Sequence, residues 1–144
     1  MRRRIRVGLL AAAAAIVAAV LLAPATPAYA AGCFGDGCTG LDPNLMGCGA
    51  DAFTAKSRTL DGMLLELRHS YACGASWARI QSGDPEDTAR VENNRGNRYG
   101  IVLGTGQHSG WTRMVPNLLY TPDQARACGK NVGFIDNSGC TVWW

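Results

Sequence analysis

Apolar and polar residues alternate with a period of two most clearly between Leu60 and Gln81. Met63 to His69 and Ser76 to Gln81 fold back on each other around a Ser70 to Ala75 turn. If paired residue numbers sum to 145, the two faces of that hairpin separate by polarity. Leu65 then faces Ile80 and Leu67 faces Ala78 on an apolar side, while Glu66 faces Arg79 and Arg68 faces Trp77 on the other. A slip of one residue would set charges against aliphatic side chains, so this register is the one expected. Upstream, Ala50 to Ser57 reads as a strand leading to Asp61-Gly62, a strong hairpin-turn signal. Downstream, Thr88 to Glu92, Arg98 to Leu103 and Trp111 to Pro116 read as further strands, with turns or loops at Gly83 to Asp87, Asn93 to Asn97 and Gly104 to Gly110. One helix is expected, near residues 122–128, with Thr121 as N-cap, Pro122 at the first position, Asp123 in the first turn and Gly129 just past the end. Lys130 to Asp136 and Cys140 to Trp144 are expected as terminal strands joined by an Asn137-Ser138-Gly139 turn, with Trp143-Trp144 as a core or edge plug. Short strands punctuated in this way predict an all-β fold, a small antiparallel barrel or sandwich.

The amino terminus changes the charge picture. Arg2, Arg3, Arg4 and Arg6 precede an almost wholly apolar run from Val7 to Leu22, and Ala28-Tyr29-Ala30 supplies small residues at a cleavage site. Residues 1–30 are therefore expected to be a cleaved signal peptide, leaving 31–144 as one secreted domain; the apolar run is short for a bilayer span. Cys33 also stands where a lipid anchor could be attached. The residues after the arginine run do not decide between export routes. Without that segment, Lys+Arg falls from 14 to 10 against 11 Asp+Glu, a net charge of about −1. The basic balance of the whole chain is thus mostly the leader, and a nucleic-acid partner is not expected.

All six cysteines follow the leader. An even count in an exported chain reads as three bridges, and six cysteines allow 15 pairings. The expected pairing, in which each bridge closes a loop without crossing another, is Cys33 with Cys38, Cys48 with Cys73 and Cys128 with Cys140. It would tie the glycine-rich stretch Ala31 to Asp51, which has no apolar period, to the turn of the central hairpin. No C-x-x-C pair is present, so neither structural zinc nor any cofactor is expected. Asp36, Asp42 and Asp51 lack EF-hand spacing and read instead as turn and capping residues.

Candidate chemistry is sparse. Gly104-Thr105-Gly106-Gln107-His108-Ser109-Gly110 follows a strand, but its third glycine comes one residue late for a dinucleotide fingerprint and a strand rather than a helix follows. His108 and Ser109 are adjacent, so their side chains generally point apart, and the acids from Asp84 to Asp87 sit in a Pro-containing loop. The more specific surface is the polar face of the hairpin: Glu66, Arg68, Trp77 and Arg79. An indole flanked by two guanidiniums suits an anionic or sugar-like ligand; the competing reading is a structural ion-pair ladder with Trp77 buried under a loop.

Cys38-Thr39-Gly40-Leu41-Asp42-Pro43, Gly47-Cys48, Asp51-Ala52 and Thr54, followed by Leu65-Glu66-Leu67-Arg68, Ser70, Cys73 and Trp77-Ala78-Arg79-Ile80, resemble an exported, mostly actinobacterial family catalogued as domain of unknown function 2690. The resemblance covers Cys33 to Ile80, and the family typically has Tyr where this chain has His69. It implies a secreted domain, sometimes appended outside the membrane to a regulator-like protein, and ligand or cell-envelope binding rather than catalysis. The expected function is that of a secreted, disulfide-rich monomer binding an extracellular or cell-wall ligand, with no membrane association after cleavage. A small secreted hydrolase or protease inhibitor is the alternative.

Overall fold

The computed structural model describes residues 30–133 and 137–144. The expected leader, up to its last residue, and Phe134 to Asp136 of the expected terminal strand lie outside the described residues. Nine strands form two antiparallel sheets stacked as a sandwich, not closed into a barrel. They are β1 (Phe53–Leu60), β2 (Met63–Ser70), β3 (Ala75–Gln81), β4 (Thr88–Asn93), β5 (Arg98–Val102), β6 (Gly110–Trp111), β7 (Val115–Pro116), β8 (Ala125–Asn131) and β9 (Asn137–Cys140). The first sheet runs β1-β2-β3-β6, with β7 also on β3, and the second runs β5-β4-β8-β9. The one helical piece among the described residues is a 3-10 turn, Gly35–Cys38.

The central hairpin has the expected register: Leu65 pairs with Ile80, Glu66 with Arg79, Leu67 with Ala78 and Arg68 with Trp77. The β1–β2 turn holds both central residues in the left-handed region, Asp61 at φ 46° and Gly62 at φ 90°, which matches the right-handed twist of the strands it joins. Side chains alternate from there. Leu65, Leu67, Ala78 and Ile80 point between the sheets and meet Ala89 and Val91 of β4 and Ala125 and Ala127 of β8, with Leu60, Met63 and Leu103 closing the ends. Fully burying one such Leu or Ile contributes on the order of 2 kcal/mol.

Several sequence expectations fail in the carboxy-terminal third, including a strand beyond Cys140. Residues 122–128 do not form a helix; Ala125–Asn131 is strand β8, paired along its length with β4. Thr121 does act as a cap, but of a turn: its hydroxyl donates to the Leu118 carbonyl and accepts from the Asp123 amide. Gly129 is no helix stop. It faces the core in mid-strand, where an added Cβ would lie 3.1 Å from Met63 Cε and 2.9 Å from the Thr88 carbonyl oxygen. Small residues at 125, 127 and 129 read as helix-compatible, yet they let β8 approach the large side chains of β2. Asn137-Ser138-Gly139 is likewise strand, not turn, pairing with Asn131, Lys130 and Gly129. The last residues double back along β8, with amide–carbonyl bonds linking Ala125 and Trp144 in both directions. The expected strand over Trp111 to Pro116 is interrupted: β6 and β7 pair with opposite ends of β3, and between them buried Thr112 takes the Ala78 amide on its hydroxyl. Gly104 to Gly110 therefore carries the chain from β5 in one sheet to β6 in the other.

The bridges are Cys33–Cys38, Cys48–Cys73 and Cys128–Cys140, the expected pairing. Because Cys33 Sγ is bonded to Cys38, it has no sulfur left for the thioether of a lipid anchor, which corrects that alternative. Three disulfides mark an oxidising environment. Among the described residues no helix is long and apolar enough to cross a membrane.

Candidate functional site

The outward face of the first sheet is covered, and its cover makes a cleft. Alternation along β2 and β3 sends Glu66, Arg68 and Ser70, with Ala75, Trp77 and Arg79, away from the main core. The loop from Ala31 to Ala52 lies across them, with Cys38, Cys48, Cys73, Ala75, Trp77 and Met114 forming a second buried cluster. Trp77 is 4% exposed. The Cys48–Cys73 bridge fastens the loop to the hairpin turn, where Gly74, at φ 55°, leaves no room for a side chain beside Leu118 and Phe34. Asp51 adds a polar fastening: its carboxylate takes the Ser70 hydroxyl and, at 2.9 Å, the Ala72 amide. Burial works to raise its pKa, but these hydrogen bonds prevail and hold it below the ordinary carboxylate value.

Glu66 is the electrostatic centre of this face. Its buried carboxylate accepts Arg79 Nε at 2.6 Å, the Thr54 hydroxyl at 2.7 Å and Gln81 Nε2 at 2.8 Å. Burial alone would raise its pKa; the three donors and the Arg79 charge outweigh it and bring the value down to about 2. Arg68 donates to the Thr54 hydroxyl at 2.7 Å and to the Ala52 carbonyl at 2.8 Å, which secures the end of the covering loop. Its pKa is lowered by burial and then by the like charge of Arg79. Two guanidiniums that sense each other, with one carboxylate already taken between them, favour an added anion.

That anion has a place to sit. A cleft of about 280 Å³ opens between the loop and the strands, with Arg68, Trp77, Arg79 and Gln81 on the strand side and Asn44, Ser109 and Trp111 on the loop side. Trp111 is 42% exposed and its indole N–H donates to Asp42 Oδ2 at 3.3 Å. The other Asp42 oxygen accepts the Asn44 and Leu45 amides, so one carboxylate positions two cleft walls.

The four residues read from the sequence thus have different surroundings. Arg68 and Arg79 face the cleft, Trp77 is its buried floor, and Glu66 lies beneath, bound by three donors. Sequence reasoning missed Asn44, Gln81 and Trp111, and weighed Ser109 only beside His108. The β3–β6 pairing that sets Trp111 opposite Arg79 was the available signal, but β6 is two residues long and leaves no periodicity.

The remaining candidates do not converge on one centre. His108 Nδ1 lies 2.8 Å from the Gly83 carbonyl oxygen and 3.9 Å from Asp84, so its ring is turned toward that loop while Ser109 lines the cleft. Asp87 is fully buried and takes the Asp84 and Val132 amides and the Asn131 side chain; Asp84 and Glu86 are exposed. Asp36 pairs with Arg95 at 2.7 Å, far in role from Asp42 and Asp51. The sulfurs of Cys33, Cys38, Cys48 and Cys73 lie within 4.8 Å of one another, but as two disulfides they do not present thiolates to a metal. His69 is buried between the sheets with Nδ1 3.0 Å from the Ser76 hydroxyl and its ring against Trp144, Tyr71 and Phe53. Burial lowers its pKa to about 4 despite the opposing pull of Asp51.

A disulfide-stapled β-sandwich whose first sheet is roofed by a glycine-rich loop is the class these features define. The chain matches the family described as Protein of unknown function (DUF2690) over residues 36–128, and it belongs to that family. The match takes in the whole covering loop from Asp36, both outer strands of the cleft and most of the second sheet. No match is found among curated proteins or among solved structures.

Proposed function

We propose that this domain is exported and binds a ligand of the cell envelope or its surroundings in the cleft beneath the amino-terminal loop. The observation that carries this reading is the pair of guanidiniums, Arg68 and Arg79, set beside the indoles of Trp77 and Trp111 around one cleft. Guanidinium pairs recognise carboxylate or phosphate, and an exposed indole stacks on a sugar ring, so the ligand class is an acidic saccharide of one or two units. The walls are held by two disulfides and by Asp42, so little ordering cost attends binding.

Trp111→Ala and Arg79→Gln test this reading by titration of the purified, oxidised chain with isolated cell-wall fragments and with galacturonic acid. Trp111 is exposed, its backbone pairing with β3 survives substitution, and its one side-chain hydrogen bond among the described residues is the N–H to Asp42, so its loss is expected to leave the melting temperature nearly unchanged while weakening binding about tenfold, the order of a lost cation–π or stacking contact. Wild-type affinity in both variants would end the cleft proposal.

A further inference from the structure

Among the described residues nothing covers the outward face of the second sheet. Its cross-strand rungs place Val102, Thr88 and Lys130 in one row, Gly100, Arg90 and Cys128 in the next, and Arg98, Glu92 and Arg126 in the third. Glu92 is 4% exposed and its carboxylate serves three guanidiniums: Arg126 at 2.6 Å, Arg90 at 3.1 Å and Arg98 at 3.7 Å. One carboxylate cannot neutralise three cations. Arg126 also lies over the Trp143 ring, 4.4 Å from its centroid, and Trp143 is 37% exposed. In the middle row Gly100 contributes no side chain, and a groove of about 630 Å³ crosses the sheet there, from Val102 to the Cys128–Cys140 bridge.

Charge is concentrated on this face. Arg90, Arg98 and Arg126 against Glu92 give it +2, while the other described residues hold seven Lys or Arg against nine Asp or Glu, a balance of −2. Arg98 and Arg126 stand two strand spacings apart, ~10 Å, and Arg90 lies one row, ~6.6 Å, further along, so positive charge spreads over roughly 10 Å of the sheet. That spacing suits a polymer with a charge on successive units better than a single small anion. Single-stranded nucleic acid is favoured by aromatic platforms at successive positions, whereas here one exposed ring, Trp143, stands at one end.

We infer that the outer face of the second sheet is a second binding surface, for an anionic polysaccharide laid across the Gly100 groove and paired with Arg90, Arg98 and Arg126. It is on the opposite side of the sandwich from the cleft and does not depend on the cleft's function. With both surfaces loaded, the domain would join a short saccharide on one side to an acidic polymer on the other.

The test uses the purified, oxidised chain and three probes: polygalacturonate, neutral amylose, and an oligothymidylate matched in charge to the polygalacturonate. Wild-type protein is expected to bind polygalacturonate with an affinity that falls steeply as salt is raised, and to ignore amylose. R90Q/R98Q changes two half-exposed or exposed side chains and keeps Arg126, which shields Glu92; it should weaken binding at least tenfold and flatten the log–log salt slope by about two. Gly100→Leu fills the groove without altering charge, at a backbone position outside the left-handed region, and should also weaken binding. Each measurement is repeated in the Trp111→Ala background, which disables the cleft, and should be unchanged. Wild-type affinity in R90Q/R98Q, loss of polygalacturonate binding in Trp111→Ala alone, or tighter binding of the oligothymidylate than of the polygalacturonate would each overturn the assignment.

Discussion

The two sheets carry nearly the same chemistry on their outer faces, and they differ in what lies on top. On the first, a buried glutamate, Glu66, sits among Arg79, Arg68 and Trp77; on the second, Glu92 sits among Arg126, Arg90, Arg98 and Trp143. A loop fixed by two disulfides covers the first, so its indole is 4% exposed and becomes part of a second core. Nothing among the described residues covers the second, and its indole is 37% exposed. The same residue types therefore serve as scaffold on one side and as surface on the other, and the deciding factor is a segment with no secondary structure of its own beyond one 3-10 turn.

The largest test of that contrast is to remove each indole. Trp77→Ala leaves a large void in the second core and is expected to cost about 3–5 kcal/mol, the range for aromatic truncation in a core. Trp143→Ala removes one cation–π contact at a solvated site and should cost about 0.5–1 kcal/mol. Chemical denaturation measures both. Equal costs would mean that the covering loop does not make Trp77 a core residue.

Removing the cover comes next in size. The Cys48–Cys73 bridge spans a sequence separation of 25, and chain-entropy reasoning assigns it about 3.5 kcal/mol. The double variant Cys48→Ala/Cys73→Ala should lose that stability and, in the folded fraction, shift tryptophan emission to the red as Trp77 meets water. Cys128→Ala/Cys140→Ala, whose separation is 12, should cost about 3 kcal/mol without the red shift, because it anchors the uncovered sheet. A red shift in both variants, or in neither, would erase the distinction.

How far these features were legible in the sequence follows from where their signals lie. The hairpin register was legible because Leu65, Leu67, Ala78 and Ile80 alternate with charged partners within 22 consecutive residues, and Asp61-Gly62 announces its turn. The bridges were legible because each joins a cysteine to the next one along the chain, and these are neighbours in the fold as well. Strand β8 was not, since Ala125, Ala127 and Gly129 carry no apolar bulk, and their meaning depends on Met63 and Leu65 from a different sheet. The burial of Trp77 was equally hidden, because its cover has no periodicity to read. The cluster around Glu92 draws on β4, β5, β8 and the terminal tail, so no local pattern contains it.

Acid titration separates His69 from the two glutamates by its pH window, while all three lose stability as pH falls. His69 has a folded pKa of about 4 against an ordinary 6.5, so the unfolded chain binds its proton first and stability is lost as pH falls from 6.5 toward 4, by up to about 3 kcal/mol. Glu66, lowered from 4.5 to about 2, contributes stability that is complete above 4.5 and lost as pH falls toward 2, again up to about 3 kcal/mol. Glu92 is also lowered, so its share disappears in the same direction. His69→Phe should flatten the stability profile between pH 6.5 and 4 and leave the lower window intact. In that background, Glu66→Gln should remove more of the remaining slope than Glu92→Gln. Arg126 on Glu92 and Arg79 on Glu66 are alike, each at 2.6 Å and 33% and 32% exposed, but the other partners of Glu92, Arg90 and Arg98, are 49% and 66% exposed charges that water and salt screen, whereas those of Glu66 are the neutral Thr54 hydroxyl and Gln81 amide. Raising salt should accordingly flatten the Glu92 contribution before that of Glu66; identical salt responses would show that the cover has no electrostatic consequence.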